Sequence, residues 1–170
     1  MIKVIGIDPG LAGTGIGVVQ GESRKISAYS FGSINTDKKD SLHLRLNLIY
    51  TQTIDFLHEQ SPDIVIFEDI FSLKQYPNSA ITLGKVTGVL MLAAYKSGAT
   101  IYEIPVKEAK KLISGSGNAD KYQVEESVRH ILKHPQEIRP FHSSDALALA
   151  IAGLFRYSSQ LYCYQKDSST

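Results

Sequence analysis

The chain has 170 residues with 43% hydrophobic and 21% charged side chains, which suggests one globular domain with a sizeable core and excludes a disordered chain. One cysteine, Cys163, excludes an internal disulfide. The longest apolar stretch, VLMLAAY, is far too short to cross a bilayer, so no membrane association is expected. A reducing, cytoplasmic setting is expected, because the first residues run directly into a strand rather than a leader.

In chain order, KVIGIDP predicts a strand cored by Val4, Ile5 and Ile7. GLAGTGIGVVQGE turns into a second strand, its glycines allowing a tight reversal, and KISAYSFGSI gives a third. Together these make an antiparallel meander. Residues 41–60 predict a helix, with Leu42, Leu46, Ile49 and Phe56 at helical spacing. DIVIF is a short, wholly apolar strand of the kind found in a sheet centre. After the polar loop SLKQYPNS, a helix runs from about Ser79 to Ser97 and closes at Gly98. TIYEIP is a strand stopped by Pro105, and residues 106–114 form a helix. The loop SGSGNA, a helix from Asp120 to Lys133 and the break HPQEIRP come next. Ser143 or Ser144 is expected to cap the last helix, which runs to about Tyr157. Residues 1–157 then form the domain, and 158–170 a flexible tail. The order β-β-β-α-β-α-β-α-α-α predicts an α/β mixed sheet with helices on both faces.

Three carboxylates stand where charge is unwelcome. Asp8 and Glu68 end apolar runs, and Asp145 opens an apolar helix one helical step after His142. Singly, each has a plain alternative: a turn before Pro-Gly, a solvated strand exit, or a first-turn acid favoured by the helix dipole. Jointly they terminate central elements of one sandwich. Like charges that close need a cation between them, and hard divalent ions suit oxygen ligands. Two Mg²⁺ ions would satisfy them and activate water against a phosphodiester. His142 reads as a metal ligand, as a group orienting the attacking water, or as a solvated residue after Pro140-Phe141.

Charge is unevenly spread. Residues 1–69 carry six basic and nine acidic side chains, whereas residues 70–111 carry six and two. A basic segment beside an acidic pocket suits a nuclease, and also suits an ordinary solvated lysine face. In Lys110-x-x-x-x-Gly115-Ser-Gly117-Asn-Ala-Asp-Lys121, the glycines would let the backbone approach a phosphate and the lysines would neutralise it. A glycine-rich hinge is the alternative. No Gly-Lys-Ser/Thr follows, so this is not a Walker A loop. Phe71 and Tyr76 beside Lys74 could stack on unpaired bases, or Phe71 could tuck back onto the sheet.

GIDPGLAGTGIGVV, IFEDIF, SAITLGKVTGVLMLAA, KLISGSGNADKYQV and HSSDALALAIA, taken in order, resemble the RuvC family of Holliday junction resolvases across residues 1 to about 157. The resemblance implies a ribonuclease H-like fold and a homodimer nicking two like strands of a four-way DNA junction, alongside a branch-migration motor. It implies metal-binding acids at Asp8, Glu68 and Asp145, with His142 where the family often has Asp. That departure leaves Mg²⁺ against Mn²⁺ open. Lys110 and Lys121 match phosphate-contacting lysines, and Phe71 matches an aromatic that stacks on a junction base. The helix from Ser79 to Ser97, with Gly84 and Gly88, could make the self-contact, though burial within one subunit explains the same pattern. Three other readings stand beside this one: a ribonuclease H-like RNA-processing nuclease, a phosphate-binding hairpin of the actin-like ATPase type, and a junction-binding module without activity.

Overall fold

The computed structural model describes residues 1–69 and 77–167, with side chains at 1–69 and 79–157. Phe71 and Lys74 therefore lie outside the described residues. Within these, the elements are β1 Ile2–Asp8, β2 Gly13–Glu22, β3 Lys25–Asn35, α1 Leu42–Gln60 and β4 Ile64–Asp69, followed by α2 Pro77–Lys96, β5 Thr100–Pro105, α3 Val106–Ser114, α4 Lys121–Leu132 and α5 Phe141–Asp167. The strands form one sheet in the order β3-β2-β1-β4-β5. The meander pairs antiparallel, while β1–β4 and β4–β5 are parallel. No helix among the described residues is long and apolar enough to cross a membrane.

Strand periodicity decides which side chain meets which layer. On β1 and β4, Ile5, Ile7, Val65 and Phe67 face one apolar cluster, which also contains Ile49 and Leu57 of α1 and Val86 and Leu90 of α2. The alternate positions, Ile2, Val4, Ile64 and Ile66, face a second cluster with residues of α3, α4 and α5. The two-sided sheet predicted from the element order is thus observed.

Helix α5 lies unusually close to the sheet, and glycines make that possible. Gly6 and Gly17 are partners across β1 and β2, and Asp8 is the partner of Gly15. A Cβ on Gly6 would stand 2.1 Å from the Ala146 carbonyl oxygen, and one on Gly17 would stand 2.5 Å from the Leu147 nitrogen. One on Gly15 would stand 2.0 Å from the His142 carbonyl oxygen. The sheet therefore touches the helix backbone directly, without side chains between them.

Two helix boundaries differ from the sequence-based expectation. The last helix starts at Phe141, not at a serine cap. Pro140 closes its first turn by accepting the Ser143 N–H at 3.0 Å, so both serines are already helical. Ser143 Oγ donates to the Gly32 carbonyl of β3 at 3.1 Å, and Ser144 Oγ donates to the Phe141 carbonyl at 2.7 Å. At the other end α5 continues past Tyr157 to Asp167, as SSQLYCYQKD contains neither glycine nor proline to stop it.

Candidate active site

Asp8 and Glu68 belong to the alternation that faces α5. Parallel pairing matches Ile7 with Phe67, so the two acids emerge side by side one step further along neighbouring strands. Asp145 descends onto them from α5. It lies in the second turn rather than opening the helix as expected, since the helix begins four residues earlier. His142 stands three residues before it, hence on the same side of the helix.

The electrostatics show how close these groups are. Burial, then Asp145, then Glu68 push the Asp8 carboxyl up to about 8. Glu68 is raised by burial and by Asp145, against the opposing pull of Lys110. Asp145 is raised by burial, although Lys110 and Lys121 both favour its charged form. Three carboxylates thus share a poorly solvated site with two lysines at its edge.

A cleft of about 170 Å³ records the same convergence, with Glu68, Asp145, Lys110 and Lys121 on its walls and Ala109, Val124 and Leu149 among its apolar lining. The α4 N-terminus fixes Lys121. Asp120 caps the helix by accepting from the Tyr122 and Gln123 N–H groups, and the Gln123 side chain accepts from the Asp120 N–H. Lys110 Nζ donates to the Ala119 carbonyl at 2.7 Å, which ties α3 to the approach of α4.

These residues suit a divalent cation. Acids that raise one another's pKa gain most from a positive charge placed among them. Burial lowers the His142 pKa, favouring the neutral ring, and its buried Nε2 has no hydrogen-bond partner. A neutral imidazole nitrogen without a partner is a ligand atom in waiting. Gly13 leaves room for it, because a Cβ there would stand 2.9 Å from His142 Nε2. Among the described residues, no group of three or more His, Cys, Asp or Glu side chains is placed as a ready metal site, so the acids and His142 would have to draw together around an ion.

The glycine motif also has a basis in chain geometry. Gly115 ends α3 in the left-handed conformation at φ 79°, its N–H donating to the Lys111 carbonyl. A Cβ on Gly117 would lie 2.9 Å from the Lys107 carbonyl oxygen. Chain geometry alone therefore accounts for both glycines. Sequence reasoning missed the positioning role of Gly6, Gly13, Gly15 and Gly17. Their signal was a run of glycines at strand period, at Gly13, Gly15 and Gly17, opposite a strand carrying Gly6.

The family model described as crossover junction endodeoxyribonuclease RuvC matches residues 4–153. The chain belongs to the RuvC family. A relative of that name from Thermosipho melanesiensis is 38% identical over 149 residues, covering 88% of this chain and 94% of its own. One from Syntrophomonas wolfei is 36% identical over 169 residues, covering 99% and 96%. The structure of T. thermophilus RuvC in complex with Holliday junction substrate superposes with a TM-score of 0.86 at 28% identity, covering 94% of this chain and 97% of that one. The ribonuclease H-like fold of the RuvC family is the fold observed here, and the family's enzymes are metal-dependent nucleases.

Proposed function

We propose that this chain is a structure-selective endonuclease that resolves four-way DNA junctions by paired symmetric nicks in homologous recombination and repair. The observation that carries the proposal is the group of Asp8, Glu68 and Asp145, three acids that burial holds above their ordinary pKa, Asp8 and Glu68 also through neighbouring acids, beside Lys110 and Lys121. It occurs in a chain of the RuvC family, whose T. thermophilus member has been solved on a junction.

Asp8, Glu68, Asp145 and His142 would hold divalent cations, with two Mg²⁺ per site as the first choice and Mn²⁺ as the second. Such cations, when bound, activate water for in-line attack and stabilise the leaving 3′ oxygen, giving 5′-phosphate ends. The chain's own residues do the remaining work. Lys121 supports the charge that builds on the attacked phosphate, and Lys110 holds a neighbouring phosphate while bridging to the Ala119 carbonyl. The Gly115–Gly117 turn sets the spacing between the two lysines. Phe71 would stack on an unpaired base, with Lys74 nearby on the backbone.

Two active sites related by a two-fold axis match the symmetry of a four-way junction, so the working form is a homodimer. Helix α2 supports this with an outer face of exposed Ile81, Leu92 and Tyr95, and open space over Gly84 and Gly88. A branch-migration motor would be the partner complex, and the cytoplasm the location.

The test is cleavage of a labelled four-way junction and of linear duplex, each with Mg²⁺ and with Mn²⁺. Symmetric paired nicks confined to the junction are expected. Inactivity on the junction with both metals, together with cleavage of single-stranded RNA, would overturn the proposal and favour an RNA-processing nuclease.

A further inference from the structure

The break between α4 and α5 carries a charged and aromatic cluster that the catalytic description does not use. Phe141 is its centre. Lys121 Nζ lies 4.7 Å from the Phe141 ring centroid, and the Arg139 guanidinium carbon lies 4.1 Å from it. Tyr122 meets Phe141 edge to face at 5.0 Å and is 59% exposed. Two cations thus share one ring. One of them, Lys121, also lines the acidic cleft, and the ring belongs to the residue immediately before His142.

We propose that Arg139 is a DNA-backbone contact, gripping a phosphate adjacent to the one held at Lys121, with Phe141 as the spacer that fixes the two cations relative to each other. This rests on the nuclease reading above. A strand whose phosphate sits at Asp145 and Lys121 must pass the Phe141 lip. The lip offers a planar guanidinium, the group best suited to phosphate. Stacking on the ring restrains a long side chain that would otherwise lose that freedom on binding.

Arg139 has local partners, and they leave it available. Its Nη1 donates to the Ile138 carbonyl at 3.0 Å, and its Nη2 pairs with Glu137 at 2.9 Å. The Glu137 side chain is 68% exposed, so this ion pair is a weak surface pair that a phosphate can displace. Ile138 beneath is fully buried, and its N–H donates to the buried Glu125 carboxylate at 2.9 Å, so the guanidinium projects from a fixed backbone.

The test is junction binding as a function of salt, in an Asp8→Asn background without divalent cations. Arg139→Gln is expected to lower the slope of log affinity against log salt by about 0.9, the loss of one phosphate contact. Glu137→Gln is expected to tighten binding a few-fold by freeing the guanidinium. Phe141→Leu, which keeps apolar bulk but removes the ring, is expected to lower affinity while the protein stays folded by circular dichroism. Arg24→Gln is the control, because Arg24 follows β2 at the end of the sheet away from Asp8 and should leave the slope unchanged. An Arg139→Gln slope equal to that of Arg24→Gln, or no effect of Glu137→Gln, would overturn the proposal. Absence of junction binding in the Asp8→Asn parent would instead sink the nuclease reading itself.

Discussion

The two faces of the sheet are built on different principles. Against α1 and α2 the sheet presents Ile5, Ile7, Val65 and Phe67, and the layers are separated by interlocking side chains. Against α5 it presents Val4, Ile64 and Ile66 together with Gly6, Gly15 and Gly17, and at the glycines backbone meets backbone. Both faces bury apolar surface, but the first, packed through side chains alone, can yield a little. The second sets the height of a helix, and that height brings Asp145 to Asp8 and Glu68 and lays His142 over Gly13 and Gly15. Both faces supply stability, and the glycine-bearing one also supplies geometry.

Substitutions on the two faces should therefore separate stability from activity. The largest effect on activity is expected from Asp8→Asn, which removes the proposed central ligand and should lower junction nicking by on the order of 10³-fold or more, measured in single-turnover cleavage. Junction binding should persist. Normal nicking by this variant would show that the acid cluster is not the site.

Gly15→Ala comes next. Its methyl would collide with the His142 carbonyl, so α5 must lift and carry His142 and Asp145 with it. A displacement on the order of 1 Å costs about 10²-fold in rate. Overpacking should cost about 1–3 kcal/mol as well. Unchanged cleavage by a folded Gly15→Ala protein would break the distinction between the faces.

Leu57→Ala on the opposite face should do the reverse. Leu57 is fully buried, and its truncation should cost about 2–5 kcal/mol by thermal or denaturant unfolding. The cleavage rate of the folded fraction should stay within about twofold, judged against the 10²-fold expected for displaced geometry.

The smallest effect concerns pH. Asp8 in the folded chain keeps its proton to about 8, against an ordinary value of 3.8. Below 3.8 both folded and unfolded chains hold the proton, and there is no cost. As pH rises from there to about 8, only the unfolded chain releases it, so metal-free stability falls. Asp8→Asn should flatten this decline and raise the pH 8 melting temperature by several degrees, at roughly 2–4 °C per kcal/mol. Identical melting profiles from pH 5 to pH 8 for wild type and Asp8→Asn would show that the acid carries no such penalty.

Much of this architecture was legible in the residues. VIGIDPG and DIVIFED announce central strands ending in acids because apolar runs and terminal charge are local signals. Asp120 to Lys133 was legible for the same reason, and these two residues are the caps of α4. The start of α5 was misjudged because serine is the commoner cap, while here Pro140 closes the turn and Ser143 instead ties the helix to β3. The purpose of the glycines was hidden for a deeper reason. What a glycine makes room for lies far away in sequence, as Ala146 does from Gly6. The Phe141 cluster was hidden likewise, its members coming from both sides of α4.

The closeness of α5 to β1 and β2 also bears on how the chain is born. A ribosome delivers the meander first, with Asp8 already in place and its glycine-lined side bare. Glu68 follows, but Asp145 and the helix that covers the glycines come last. Nascent chains that lack α5 therefore hold Asp8 and Glu68 without Asp145. The three acids come together only when α5 has been made and has settled into the groove that the glycines leave for it.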